Sequence, residues 1–455
     1  MNAKVTIAMV FIIIIGFVGK SAIDDLRVAA DAYIYGYPLL IMEETRRASA
    51  KTGENNVLRH VRQFPDADFR LVVRPNFDTL YSSAWINLAD GPLVISMPDT
   101  GDRYYVLPFM DAWSNVFART GTSTSGNSEQ EVALVGPDYV GELPVGLTRI
   151  IESPTNMVWL IGRIETNGVD DVAAVRLIQD KMALTPLSDW LNGDRRRGIG
   201  STLGDASLSP MSVVEQMDAQ AFFSRLNQLM AEQSPSQADV SELAKFSYLN
   251  IAPGAEFRLD DGGWLQAIML QKALDITRDK LSESALEDRS NDQGWRVLRS
   301  SIGNYGSDYV MRAAIAKYGL GALPPSEAAY PSSSRSADKE PLDGSKYNYR
   351  LHFDAGELPP VNAFWSLTAY DSDGYLKQNE LSRFSISERA SLQFSPDGSL
   401  DIYIQHEPPK SGISNWLPAP KEGFNLMLRL YYPKAAFMNG AWIIPPIEKV
   451  ESLTY

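Results

Sequence analysis

The hydrophobic period changes twice along this chain, and that constrains the fold more than any other feature. Tyr81–Leu88, Leu93–Met97, Tyr104–Phe109 and Met157–Gly162 are short apolar or alternating runs, separated by Gly-Pro, Pro-Asp-Thr-Gly and Ser-Pro-Thr-Asn turns. Residues two apart share one face of a strand, so this spacing predicts an antiparallel sandwich and not repeated strand–helix–strand units. From about residue 169 to 318 the period becomes helical. Val213, Met217, Ala221, Leu226 and Met230 mark one expected helix, and Leu265, Ile268, Met269, Leu274 and Ile276 another. Their apolar stripes read as core. Strands resume at Asn348–Phe353, Phe364–Tyr370, Leu400–His406 and Leu426–Tyr432, with Asp397-Gly398 as a hairpin turn.

The expected organisation is therefore mainly β with a helical insert. Residues 22–165 are assigned to N-terminal helices and a first sandwich, 166–327 to the insert, and 346–455 to a C-terminal sandwich. Between the last two, residues 328–345 are rich in Ser, Pro, Lys and Asp and read as a linker or long exposed loop. Within residues 23–50, Gly36 and Pro38 interrupt a helical pattern, which predicts a broken pair of helices.

Composition removes several classes of function. The 455-residue chain carries a formal net charge of -14, so the basic face that nucleic acid requires is not expected. There is no cysteine, which excludes thiol nucleophiles, disulfides and thiolate metal sites. Lys4, the apolar run Val5–Val18 and then Gly19, Lys20 and Ser21 follow the order of an export leader. About 14 apolar residues fall short of the ~20 needed to span a bilayer. Residues 1–21 are therefore expected to be a signal peptide cut after Ser21, giving a periplasmic or secreted protein without a membrane span. Retention as an N-terminal anchor is the alternative.

Three groups of motifs are distinctive. Arg74-Pro75-Asn76-Phe77-Asp78-Thr79-Leu80-Tyr81-Ser82 opens the first β region, followed by Gly101-Asp102-Arg103-Tyr104-Tyr105 and Asp111-Ala112-Trp113-Ser114-Asn115. The C-terminal region carries Pro359–Thr368, Asp397-Gly398-Ser399-Leu400, Asn415–Pro420 and Arg429-Leu430-Tyr431. The set resembles a bacterial two-module family whose halves are known only as domains of unknown function 1254 and 1214. That resemblance implies an Ig-like N-terminal sandwich, a helical insert and a C-terminal jelly-roll-like domain. It implies no activity.

The remaining chemistry is sparse. His60, His352 and His406 are the only histidines and none has metal-ligand spacing, so no metal site and no cofactor are expected. Gly121–Ser125 lacks the closing glycine of a nucleophile elbow, Ser336-Ala-Asp-Lys339 lies in the linker, and Asp371–Gly374 reads as a turn. Asn76, Asp78, Tyr81, Arg103 and Asp111 are then the polar candidates of the first domain, with Trp113 beside them. Trp365, Asn415, Trp416 and Arg429 are those of the second. The ordinary reading makes Asn76 and Asp78 loop-fastening Asx residues and the tryptophans core. The sharper one gathers them in an interdomain cleft holding a carbohydrate or small amphipathic molecule, in a protein that could self-associate. The alternative is a hydrolase or lyase without metal or cofactor, with Asp78 and Asp111 as paired acid and base.

Overall fold

The computed structural model of the protein describes residues 3–50, 54–69, 74–201, 209–281 and 291–450. The first sandwich contains β1 (Arg59–Val61), β2 (Thr79–Asn87), β3 (Leu93–Met97), β4 (Tyr105–Asp111) and β5 (Val116–Gly121). It continues with β6 (Gln130–Val135), β7 (Arg149–Glu152), β8 (Met157–Glu165), β9 (Ala183–Pro186) and β10 (Ile199–Ser201). One sheet runs β10-β1-β2-β8-β4-β5 and the other β7-β6-β3-β9. Pairing is antiparallel except for β1 with β10 and β6 with β7. Leu80, Ile86, Leu107, Phe109 and Leu160 of the first sheet meet Ile95, Val132, Leu134 and Leu184 of the second in one buried core. The sandwich thus draws β9 and β10 from beyond residue 165.

The second sandwich contains β11 (Asn291–Asp292), β12 (Trp295–Arg296), β13 (Ala328–Ala329), β14 (Ser332–Ser333), β15 (Asn348–Phe353) and β16 (Trp365–Asp371). To these it adds β17 (Ser385–Ser387), β18 (Leu400–Gln405), β19 (Trp416–Pro418), β20 (Phe424–Tyr431) and β21 (Ile447–Val450). A seven-stranded sheet, β11-β12-β14-β20-β16-β17 with β13 also on β20, faces a four-stranded one, β19-β18-β15-β21. Both β13 and β14 come from the stretch expected as a linker. Ala328, Ala329, Ser332 and Ser333 are buried there because their backbone pairs with β20 and needs no hydrophobic period to do so; Ser336 and Leu342 are buried beside them.

Helices form a third body. α1 (Ala3–Ala50) is followed by α2 (Val172–Gln179) and α3 (Leu187–Leu191), both beside the first sandwich. Next come α4 (Pro210–Glu215), α5 (Ala219–Glu232), α6 (Val240–Phe246), α7 (Gly263–Lys280) and α8 (Tyr309–Tyr318). The expected helix over 213–230 is two, since Asp218 accepts the Ala221 N–H at 2.8 Å and so starts α5 afresh.

Nor is α1 broken. It passes through Gly36 and Pro38 as one helix, with Tyr33, Tyr35 and Tyr37 fully buried among α5, α7 and α8. A Cβ at Gly36 would lie 2.6 Å from a Leu226 methyl, so the glycine permits close helix packing. The bond lost at Pro38 is outweighed by that enclosure. Part of the expected leader, Met1 and Asn2, lies outside the described residues. Among the described residues no helix is long and apolar enough to cross a membrane, and no cluster of three or more His, Asp or Glu is placed to hold a metal.

His60 of β1 is fully buried, and its Nδ1 lies 2.8 Å from Ser82 Oγ on β2. Burial, reinforced by the Arg62 charge, pulls its pKa down to about 4 from 6.5. The folded protein thus binds this proton more weakly than the unfolded chain does. Stability from His60 should be complete above pH 6.5, fall as pH drops towards 4, and stay level below. The loss should be about 3 kcal/mol at ~1.4 kcal/mol per pKa unit. Denaturant titrations of the protein and of His60→Gln across that range should show the flatter pH profile in the variant.

Candidate functional site

The two sandwiches meet through β16 and β20, whose faces divide by residue parity. Trp365, Leu367 and Ala369, with Leu426, Leu428 and Leu430, point into the second sandwich's own core. One residue over, Ser366, Thr368 and Tyr370 on β16 and Arg429 and Tyr431 on β20 are also buried, against the first domain. This sheet has an apolar face and a polar face, and both are covered.

The segment that covers the polar face is the Arg74–Thr79 loop. The Arg74 N–H donates to Gly374 O at 2.7 Å, Tyr370 OH donates to Pro75 O at 2.8 Å, and Arg429 donates to Arg74 O at 3.0 Å. Asn76 Oδ1 accepts the Asp78 N–H at 2.6 Å, a local Asx turn, and its amide donates to Thr79 Oγ1. That turn aims Asp78 across the junction. One carboxylate oxygen accepts from Ser366 Oγ at 2.6 Å and Tyr431 OH at 3.4 Å, and the other from Arg389 Nη2 at 3.2 Å. Arg389 also reaches Glu165 at 3.5 Å, and its guanidinium lies 3.9 Å above the Phe364 ring.

Two more arginines are buried in this junction. Arg163 on β8 stands beside Tyr81 on β2 in register, its guanidinium 5.2 Å from the ring, and donates to the Ile161 and Gly321 carbonyls. Arg429 donates to Thr368 Oγ1 at 3.0 Å and Tyr370 OH at 2.7 Å. Among the described residues neither has a carboxylate within ion-pair distance; Asp78 acts on Arg429 only from further off. Burial alone would lower the Arg163 pKa, but the hydroxyls of Tyr81, Tyr330, Tyr431 and Tyr104 around it leave it raised. Burial pushes Tyr104, Tyr330, Tyr370 and Tyr431 up, so these phenols are protonated donors. Glu327, which joins the domains, pairs separately with Arg119 at 2.9 Å and accepts Tyr104 OH at 2.7 Å.

Of the residues singled out by sequence, Asn76, Asp78, Tyr81 and Arg429 come together here. The others do not. Arg103 forms an ion pair with Asp171 and also donates to the Glu165 carbonyl. Asp111 is opposite Val158 at one end of β8 whereas Thr79 is opposite Glu165 at the other. That separates Asp111 from Asp78 by roughly 23 Å, at about 3.3 Å per residue of strand. Asp111 instead accepts the Trp113 and Asn115 N–H groups at 2.9 Å each, closing its own turn, and burial raises its pKa. The two carboxylates cannot work as an acid–base pair.

Trp113 packs on Tyr35 and beneath Arg312 in the helical core. Trp365 is core, on the apolar side of β16. Asn415 ties Gln393 to Asp401 by three bonds to backbone, and Trp416 is buried with its indole N–H on Gln405 O at 2.8 Å. Trp416 also borders a surface cleft of about 650 Å³ with His406 and Lys377, whose lining does not include Asp78. Sequence reasoning missed Ser366, Arg389, Tyr330, Tyr431 and Arg163. The first and fourth were legible as the alternate residues of β16 and β20. Arg389 and Tyr330 lie in irregular segments that carry no period.

Residues 55–186 match the family described as a protein of unknown function, DUF1254, and residues 327–435 match DUF1214, also of unknown function. The chain belongs to this two-domain family. The crystal structure of the VPA0106 protein from Vibrio parahaemolyticus superposes with a TM-score of 0.68 at 26% identity, over 94% of this chain and 100% of that one. An uncharacterised protein from Burkholderia cenocepacia aligns over 95% of this chain and 96% of its own, at 11% identity and a TM-score of 0.45. No curated protein matches. Within this family fold the Asp78 contacts join the two matched domains directly. Replacing Asp78 by Asn keeps the shape and removes the charge facing Arg389. It should lower unfolding free energy by about 1–3 kcal/mol in denaturant titration, with an unchanged far-ultraviolet circular dichroism spectrum.

Proposed function

We propose that the protein binds a small amphipathic molecule carrying an acidic head at the junction of its two β domains. The observation that carries this reading is the pair of buried arginines, Arg163 and Arg429, which among the described residues have no carboxylate in ion-pair contact. Burying a guanidinium without a counter-charge costs several kcal/mol, and a ligand carboxylate would offset that cost. Tyr330 supports the same place. Its hydroxyl lies near Arg163, Tyr81 and Arg429, and the residue is partly accessible to solvent. Phe77, stacked on Phe64 at 4.4 Å and edge-on to Phe384 at 5.4 Å, offers apolar surface in the same cluster as Tyr330. A neutral sugar would leave both charges unmatched, which favours an acid over a carbohydrate. The leader-like N-terminus supports export, so the ligand would be met in the periplasm or outside the cell.

A ligand that binds only the folded state raises the apparent melting temperature, by about 2.7 kcal/mol of stability at a hundredfold excess over Kd. Octanoate and phenylacetate should raise it, while octanol, phenylethanol, glucose and acetate should not. Arg429→Gln, checked for folding by circular dichroism, should lose the response. Equal shifts with alcohols or sugars, or none with either carboxylate at millimolar concentration, would overturn the proposal.

A further inference from the structure

The second sandwich carries a cleft whose lining shares no residue with the junction. It measures about 650 Å³, within the ~300–1,000 Å³ usual for small-molecule sites. Three connections form it: β16 to β17, β18 to β19, and β19 to β20. Trp416, Pro418 and Pro420 make a buried, apolar floor. The walls are exposed and polar. Lys377 and Glu380 stand on the first connection, His406 and Glu407 on the second, and Lys421 and Glu422 on the third. Apolar ground with polar groups converging from several sides is how small-molecule sites are built.

The wall chemistry narrows the ligand. Lys377 pairs with Glu422 at 2.8 Å, so those two charges offset each other. Glu380, Glu407 and Lys421 then leave the walls slightly acidic, with His406 neutral. An anion would be repelled here, and nothing like the junction's buried arginines awaits it. An apolar ligand would strip water from the carboxylates and replace it with nothing. His406 Nδ1 lies 3.1 Å from the Ala419 carbonyl and so carries the proton, which leaves Nε2 an acceptor in the neutral ring. The walls therefore offer acceptors in Glu380, Glu407 and His406, and donors in the lysine ammonium groups. A hydroxyl donates and accepts at once, so a run of hydroxyls matches this mixture. An extended peptide fits less well. β19 is the edge strand here, yet Pro418 has no N–H and the Trp416 carbonyl already accepts from Arg383 at 3.0 Å. That edge has little to offer an added strand.

We propose that this cleft is a carbohydrate site for a short neutral oligosaccharide. Its sugar rings lie on the Trp416–Pro420 floor, and its hydroxyls meet Glu380, His406, Glu407 and Lys421. The acid site proposed at the junction is separate, and neither reading depends on the other. Ligand-observed NMR titrations of the full chain with cellotriose, maltotriose and chitotriose, each at millimolar concentration, test it. At least one should bind. Glucose should bind about tenfold more weakly or worse, because a single ring leaves most of the cleft unfilled, and the acidic trigalacturonate should bind more weakly than its neutral counterparts. Glu380→Ala with Glu407→Ala, both exposed side chains, should weaken trisaccharide binding about tenfold or more while the melting temperature stays the same. Arg429→Gln should leave trisaccharide binding unchanged, which separates this site from the junction. The proposal is overturned if none of the three neutral trisaccharides binds, if the Glu380 and Glu407 double variant binds as well as the protein, if Arg429→Gln abolishes binding, or if trigalacturonate binds most tightly.

Discussion

One turn holds the molecule's two β domains in a fixed relation. Asn76 fastens the backbone so that Asp78 leaves the first sandwich and lands on the polar face of β16 and β20. The cost of removing that carboxylate from water is met by a serine, a tyrosine and Arg389, all from the other domain. Without those partners Asp78 would be a buried charge with no compensation, so neither domain presents a satisfied surface alone. Arg429 and Tyr370 repeat the logic in reverse, reaching back to the carbonyls of Arg74 and Pro75.

Such a junction is poorly suited to stability for its own sake. An apolar seam between the sheets would hold them at lower electrostatic cost, whereas this one encloses Arg163 and Arg429 among phenols. Contrast the helical core, where Arg312 is also buried and has no ion pair among the described residues. It is sandwiched against Tyr35, Trp113 and Tyr309, whose ring faces supply the negative potential. At the junction Arg163 and Arg429 have one ring each, Tyr81 at 5.2 Å and Tyr370 at 5.8 Å, and the rest of their environment is hydrogen-bonding. That difference in surroundings favours the junction over the helical core for the acidic ligand proposed above.

Much of the architecture was legible locally. Alternation and turn chemistry mark the strands of both sandwiches, and the shift to helical spacing marks α5 and α7. The failures share a cause. Pro38 and Gly36 argue for a break that enclosure by α5, α7 and α8 overrides. Residues 328–345 lack any period because their strands are two residues long and rely on backbone pairing with β20. Trp365 and Ser366 are adjacent in one motif, but only one of them can face the first domain.

The sequence by itself determined the two β blocks, the helical body between them and the family, because hydrophobic period and turn residues act over a few positions. It also singled out the Asn76–Asp78 turn as unusual. Only tertiary structure decided what Asp78 meets. Its partners lie 288, 311 and 353 residues away in the chain, and their approach depends on which face of β16 turns inward. A shift of one residue along a strand exchanges its two faces, so no local signal can choose between a tryptophan in the core and a serine on a carboxylate.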